Sequence, residues 1–276
     1  MQGTIAQIVA LTTHGNAFLQ DAQIRESADF QNRNSTFKFC EWVRFSDAPP
    51  RESNLGESFY AADVHGWFAR LRKEEVCAIR MSYWPSSKNV APDRTLVGFV
   101  GGGGKSLIET YQRDRTYFWE PQWRVGDRER KDRRIWRVAY LRISSSDQLG
   151  RGQAQDLAQL KSELRNILIE IAQFSRSQNL GNFTTAFESA LARLDSREPF
   201  ESLYHNDLAP AGFLSLEACQ LLASVEAAWV FGGMGSWNDV YFEEKERARY
   251  DDLSERLYRL LNQAVVAAAN SRAVVF

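Results

Sequence analysis

The feature that most constrains the fold is residues 229–270, where an apolar run and a glycine-rich break precede the longest helical pattern in the chain. Gly232 is expected to end the first helix in a left-handed conformation, and Ser236 with Asp239 matches a capping box that begins the second. The stretch therefore predicts two antiparallel helices joined by a tight connection. The apolar face of the second helix consists of Tyr250, Leu253, Leu257, Leu260, Leu261, Ala264, Val265 and Ala268.

Other parts of the C-terminal region show the same periodicity. Residues 154–174 and 215–229 carry apolar side chains at helical spacing, and Thr184 or Thr185 is suited to cap a shorter helix. A segment rich in serine and glycine, residues 144–152, marks a boundary before these helices. We therefore expect an antiparallel bundle of four main helices in residues 150–276, either separate or packed on the preceding region as a single domain.

Residues 1–145 are predicted to form a sheet-rich α+β region with one or two helices, one of them capped by Asp63. The predicted strand at residues 134–143 is apolar on both faces, which places it in the centre of the sheet. Pro121 assigns the predicted strand at residues 116–125 to an edge or a bulge. The fold class is thus α+β with a mainly antiparallel sheet. The predicted strands are residues 4–12, 37–45, 76–84, 95–100, 116–125 and 134–143.

Composition excludes several classes of protein. No stretch approaches the roughly 18 apolar residues that a membrane helix requires, and the first residues lack the pattern of a signal peptide. Three cysteines without CxxC spacing and three histidines argue against a disulfide scaffold or a metal site. We therefore expect a cytoplasmic protein with no metal, no cofactor and no membrane partner.

The glycine-rich stretch at residues 101–106, GGGGKS, suggests a phosphate site because it lies between a predicted strand and a predicted helix, residues 107–112. A phosphate loop requires G-x-x-x-x-G-K-[ST], and Gly98 lies one residue too early for that spacing. A flexible turn is the favoured interpretation. An enzyme that binds a phosphorylated ligand is retained as one hypothesis, with contacts from Gly103, Gly104, Lys105 and Ser106.

Residues 111–142 are basic and aromatic, with ten Lys or Arg, five Asp or Glu and seven aromatic residues. Arginines combined with stacking aromatics are what a nucleic-acid surface requires. However, most of the aromatics occupy core positions of predicted strands, so a core hairpin with a solvated turn is favoured. The nucleic-acid hypothesis assigns contacts to Arg113, Arg115, Arg124, Arg128, Arg130 and Lys131.

No catalytic residue is assigned. Glu41 lies in an apolar row of a predicted strand, but a bulge or an arginine partner is the simpler explanation for a carboxylate there. His205 beside Asp207 resembles half of an acid–base pair, yet sequence alone places no nucleophile next to it. Whether Glu41, Lys105 and His205 converge on one site is not decided by the sequence.

The preferred hypothesis is a non-catalytic binding protein that acts through a protein partner, of immunity, antitoxin or adaptor type. Phe231, Met234 and Trp237 lie close together in the glycine-rich break and have the character of an interface anchor. An anion site is disfavoured there because Asp239 and the glutamates that follow it would repel a second negative charge.

Overall fold

The computed structural model describes residues 1–20, 29–47, 59–86, 91–99, 102–113, 115–144 and 155–273. Within these residues the chain is a mixed α/β protein with a five-stranded, mostly antiparallel sheet and eight α-helices. The predicted α+β class is confirmed at this level. The predicted boundary falls almost entirely on residues 145–154, which lie outside the described residues, so the division into two regions stays a prediction.

The sheet has the strand order β1-β5-β4-β3-β2, in which β1 runs parallel to β5 and the other neighbours are antiparallel. It is therefore not purely antiparallel. As predicted, β5 occupies a central position. The strands are β1 (Cys40–Ser46), β2 (Ala78–Trp84), β3 (Lys105–Tyr111), β4 (Thr116–Val125) and β5 (Trp136–Ser144).

The helices form two groups. One includes α1, which contacts β2 and β3, and α3, which contacts β1; the other is made by α5 to α8, in which α5 packs on α6 and α8, and α7 packs on the same two helices. The helices are α1 (Gly3–Gln20), α2 (Phe30–Arg33), α3 (Val64–Lys73), α4 (Asp93–Leu96), α5 (Leu157–Ser177), α6 (Gly181–Asp195), α7 (Leu216–Ala228) and α8 (Glu244–Asn270).

Helix α1 overturns the first predicted strand, residues 4–12. Residues 5–13 are all buried, so this helix is apolar on every side and lies between the sheet and α8. Two of its polar side chains have partners in the interior: Gln7 accepts from the Tyr140 hydroxyl (2.9 Å), and Thr13 donates to the carbonyl of Leu208 (2.5 Å). The alternating β-branched residues led to a strand prediction. A fully buried helix has no polar face, so its sequence lacks the helical spacing of polar residues.

The glycine-rich stretch also departs from its prediction. Residues 93–96 form the short helix α4 rather than a strand, and Lys105 begins strand β3 where residues 107–112 were predicted to be helical. Val100 and Gly101 lie outside the described residues. Both element predictions are wrong because glycines separate a turn from a strand here, not a strand from a helix.

Pro121 lies in β4 at a position with a neighbour on one side only. β4 pairs with β3 from Thr116 to Trp119, whereas its pairing with β5 continues to Val125. A proline lacks the N–H that a second neighbour would require. The predicted edge position of the strand is wrong, because β4 lies between β3 and β5; Pro121 is tolerated because it comes after the last residue of β4 that pairs with β3.

Some helix ends were predicted correctly and others were not. Asp63 caps α3 through its Oδ1, which accepts from the N–H of Gly66 (2.7 Å). Thr184 and Thr185 are inside α6, whose N-cap is Leu180, so the predicted cap there is wrong. The connection between α7 and α8 spans residues 229–243 and contains a 3₁₀ turn, so it is longer than the tight connection that was predicted.

Strand β2 ends the sheet, and two asparagine side chains occupy part of its outer edge. Asn16 of α1 donates to the carbonyl of Ile79 (2.6 Å) and accepts from its N–H (2.9 Å). Asn270 of α8 does the same for Met81, with both distances 2.8 Å. Each carboxamide thus replaces one peptide group of a neighbouring strand, and an unpaired sheet edge is covered at two successive positions.

Candidate functional site

The connection between α7 and α8 contains the three residues that the sequence nominated as a partner anchor. Phe231 is 2 % exposed and Trp237 is fully buried, whereas Met234 projects completely into solvent. In this structure only Met234 of the three is available to a partner. The other two hold the connection to the core.

Trp237 is fixed by directed contacts as well as burial. Its indole N–H donates to the hydroxyl of Ser254 (2.7 Å), and its carbonyl accepts from the Tyr250 hydroxyl (2.6 Å). The capping box is present, with the N–H of Ser236 donating to Asp239 (3.0 Å), but it begins the 3₁₀ turn Trp237–Asp239 instead of α8. The connection is therefore anchored immediately after its exposed tip.

The tip depends on glycine. Gly232, Gly233 and Gly235 have φ values of 81°, 97° and 72°, a region that side-chain-bearing residues rarely adopt. Gly232 is left-handed as predicted, but α7 has already ended at Ala228. The glycines therefore shape the turn that presents Met234.

A second segment, residues 97–99, packs against this tip. A Cβ placed on Gly98 would lie 3.2 Å from the backbone nitrogen of Gly233, so the two backbones are in direct contact. Phe99 follows Gly98 and is 70 % exposed. Met234 and Phe99 thus lie on adjoining loops, and Tyr241, later in the same α7–α8 connection as Met234, is 79 % exposed. We call Phe99, Met234 and Tyr241 the loop surface.

Beside the loop surface is a recess of about 260 Å³, lined partly by Asn238 and Tyr241. The Asn238 amide donates to the carbonyl of Arg94 (2.6 Å), while its Oδ1 accepts no hydrogen bond from the described residues although it is buried. The recess therefore offers an acceptor to a hydrogen-bond donor that enters from outside.

The recess itself is lined by two arginines, Arg94 and Arg247, and two aspartates, Asp239 and Asp251, while the chain segment beside it has an acidic excess. Arg94 is buried, and its charge is balanced by Asp251 (2.6 Å) and Glu255 (3.4 Å). Burial raises the pKa of Tyr250, which lines the same recess and stays protonated. Residues 239–247 carry four acidic and two basic side chains. A cationic group would therefore be attracted to this surface.

The predicted phosphate contacts lie just before and at the start of a strand, not of a helix. Lys105 is the first residue of β3, and its ammonium lies 2.7 Å from the Glu120 carboxylate. A Cβ on Gly104 would overlap the Tyr83 ring, at 2.4 Å from its hydroxyl oxygen, while Gly103 has a φ of 75°. These glycines are explained by a close approach and a turn. Phosphate binding by Gly103, Gly104, Lys105 and Ser106 stays a prediction.

The six predicted nucleic-acid contacts lie at two ends of one strand. Arg113 and Arg115 lie before β4, while the other four follow at or beyond its far end, and a ten-residue strand spans roughly 33 Å. Arg130 is paired with Asp132 (2.7 Å), which lowers the pKa of that carboxyl to about 2. The six side chains do not form one continuous patch. The remaining members of the set are Arg124, Arg128 and Lys131.

Glu41 has both of the simple explanations that its sequence position allowed. It accepts from the guanidinium of Arg137 at 2.8 and 3.3 Å, and the register of β1 against β5 shifts between Cys40 and Trp42. Arg130 lies 3.8 Å from the same carboxylate. This is an ion-pair cluster at one end of the sheet, well accounted for by structure.

His205 has a serine beside it that the sequence did not place. The hydroxyl of Ser35 donates to Asp207 (2.5 Å) and lies 2.9 Å from His205 Nδ1. Both partners thus contact the serine, whereas a hydrolase triad requires the carboxylate to orient the histidine. Asp207 also accepts from the N–H of Ser35 (2.7 Å), the first residue of the 3₁₀ turn Ser35–Phe37, whose N-cap is Asn34. The cluster thus ties this turn to the segment that contains Asp207.

Among the described residues, no cluster of three or more His, Cys, Asp or Glu side chains is suited to hold a metal ion. The described helices include none with the length and apolar character needed to cross a membrane. Comparison of the chain with protein-family models, curated proteins and solved structures finds no match.

Phe99 and Tyr241 are the residues that sequence reasoning missed. Phe99 was assigned to a strand end, and its proximity to Met234 depends on a contact between segments more than 130 residues apart. Glycines in both segments indicated that a close approach of two backbones was possible, because such an approach leaves no room for a side chain. The sequence does not show which glycines meet.

Proposed function

We propose that this chain is a non-catalytic binding protein that acts through a protein partner, and that the partner docks on the loop surface. The observation that carries the proposal is the exposure of Phe99 and Met234, two large apolar side chains on loops whose backbones meet at Gly98 and Gly233. Contiguous exposed apolar groups rimmed by polar residues mark interaction sites in soluble proteins.

The anchoring of the site on both sides of Met234 supports this proposal. Trp237 and Phe231 are in the core on either side of the exposed Met234, so the tip is anchored at both ends. A preorganised surface loses less conformational entropy when it binds. Apolar residues on an unanchored loop would not offer this advantage.

The chemistry of the recess identifies the kind of partner. Asn238 Oδ1 requires a donor, Tyr241 offers an aromatic face, and residues 239–247 carry two more acidic than basic side chains. We expect the partner to insert an arginine or lysine, flanked by apolar side chains that contact Phe99 and Met234.

The test begins with a photo-crosslinking amino acid at position 234, with the same group at position 216 as control. Leu216 is also exposed, but it lies at the opposite end of α7, a helix about 20 Å long. A protein crosslinked from position 234 alone would then be purified for binding measurements by calorimetry.

Met234→Ser and Phe99→Ser are each expected to weaken the purified complex by about tenfold or more, while Leu216→Ser leaves it unchanged. The complex should also weaken when salt is raised, because the acidic rim attracts the partner. Equal crosslinking from both positions, or unchanged affinity in both loop variants, would overturn the proposal.

A further inference from the structure

A cleft of about 1000 Å³ lies between the outer edge of β2, α4 and α8. Its lining includes no residue of the loop surface and none of the predicted site residues. Helix α4, which borders the cleft, is followed by the segment that carries Phe99. Clefts of this size hold ligands as large as short peptides. The residues that matter for its chemistry are Tyr83, Asp93, Tyr258, Arg259, Asn262 and Asn270.

The edge of β2 continues into this cleft. In an antiparallel pair, the backbone groups of alternate residues point away from the neighbouring strand. Ile79 and Met81 point outward, where Asn16 and Asn270 bind them, so the next outward residue is Tyr83. No described residue forms a hydrogen bond with the backbone of Tyr83 at this edge. Its N–H and C=O are therefore presented where a further peptide group would pair.

The opposite wall of the cleft carries an unsatisfied acceptor. Asn262 of α8 is 2 % exposed, and its amide nitrogen donates to the carbonyl of Tyr258 (2.9 Å). Its Oδ1 is buried and accepts no hydrogen bond from any described residue. A buried acceptor without a donor is unfavourable, so a ligand that supplies an N–H would gain binding energy here.

Other polar groups of the cleft are already engaged or are cationic. The Tyr83 hydroxyl donates to Asp93 (3.1 Å), and burial raises the pKa of Tyr83, so the phenol remains protonated. Arg259 has only a long contact with Gln263 (3.4 Å) and no ion pair with a described residue. A carboxylate on the ligand would find its partner at Arg259.

We propose that the cleft binds a short, extended, carboxylate-bearing peptide. One peptide group pairs with the N–H and C=O of Tyr83, which extends the sheet in the way that Asn16 and Asn270 already imitate. A second N–H of the ligand donates to Asn262 Oδ1, and the carboxylate pairs with Arg259. The adjacent donor and acceptor required at Tyr83 favour a peptide over a ligand that lacks an amide.

The experiment uses the full chain and a randomised library of N-acetyl tetrapeptides with a free terminal carboxylate. Peptides enriched on the immobilised protein are measured by calorimetry, together with their terminal amides and with versions N-methylated at each peptide bond. We expect about tenfold weaker binding for the amide, and about the same loss for N-methylation at one internal position. Amide hydrogen exchange of Tyr83 should slow in the complex.

On the protein side, Asn262→Leu is expected to weaken binding by about tenfold, whereas Asn262→Asp keeps an acceptor oxygen and weakens it less. The N-methylated peptides test the same contacts without any change to the protein, so a variant that fails to fold leaves the test intact. Met234→Ser should bind the peptide like the wild type, which separates this site from the loop surface.

Three results would overturn the inference: no enrichment of any peptide, unchanged exchange at Tyr83 in a saturated complex, or equal affinity for all N-methylated forms. Loss of peptide binding in Met234→Ser would place the peptide at the loop surface instead. The protein partner of the proposed function is measured separately, so failure of one site does not imply failure of the other.

Discussion

The asparagine that covers the edge of β2 offers a direct test of how this fold is held together. Asn16 extends from the central helix α1 and satisfies both backbone groups of Ile79. Replacing it with alanine removes both hydrogen bonds while retaining the high helix propensity that α1 requires. The result measures the free energy by which a single side chain replaces a missing strand.

The expected loss follows from burial. Asn16 is 1 % exposed and Ile79 is fully buried, so Asn16→Ala leaves one donor and one acceptor unpaired away from water. Each unsatisfied group costs about 1–3 kcal/mol. The free energy of unfolding should therefore fall by about 2–6 kcal/mol, out of the roughly 5–15 kcal/mol typical of a folded protein. Asn270→Ala should lose less, because Asn270 is half-buried beside the cleft.

Urea unfolding followed by circular dichroism gives the free energies, and hydrogen exchange at Ile79 reports the local opening. Gln20→Ala is the control, since Gln20 is on the same helix and makes a single exposed hydrogen bond to the carbonyl of Arg272 (2.7 Å). That variant should change stability by less than about 0.5 kcal/mol. If Asn16→Ala is no more destabilising than the control, the edge does not need the asparagine and the reasoning fails.

Three further outcomes follow from the structure. Trp237→Ala should destabilise the fold by about 3–5 kcal/mol and Met234→Ser by less than about 0.5 kcal/mol in urea unfolding; equal losses would contradict their assigned burial. Burial lowers the pKa of His205 from 6.5 to about 4, so the unfolded chain binds the proton first. The stabilisation from this neutral histidine is present above pH 6.5 and lost as pH falls towards 4. Wild type should lose on the order of 1–2 kcal/mol more than His205→Gln across that window, and parallel pH profiles would exclude the effect. Glu41→Gln should lose under about 1 kcal/mol, and this loss should shrink in 1 M salt, because its partner Arg137 is half-exposed; a larger, salt-insensitive loss would indicate a buried charge.

The parts of the fold that the sequence predicted well have a polar face or clear punctuation. All eight apolar residues assigned to the inner face of α8 are buried, and β4 has the predicted bounds Thr116–Val125. In α8 the charged face fixes the period, and in β4 a charged turn fixes the end. Asp63 was recognised because N-caps select a few short polar side chains.

The parts that were missed depend on tertiary context. Helix α1 has no polar face, since residues 5–13 are buried on all sides, so its local pattern does not separate helix from strand. The segment at Lys105 shows the same limit, because glycines precede strands and helices alike. The site was less predictable still: Met234 was nominated, but Phe99 meets it only through a backbone contact between distant segments.

The two proposed surfaces differ in what would fill them, and the edge strand shows why the cleft is the more specific of the two. Folded proteins cover exposed strand edges because these pair readily with other chains. Ile79 and Met81 are the two outward-pointing residues before Tyr83. Here they are covered by carboxamides from two separate helices. No carboxamide of the described residues covers the backbone of Tyr83, the next outward residue. The same cleft also contains the buried Asn262 oxygen, which has no donor among those residues, so an incoming peptide would find a partner at each. A strand edge that was simply uncovered would not have an acceptor such as Asn262 Oδ1 in the same cleft. The arrangement therefore favours a site that binds an extended chain.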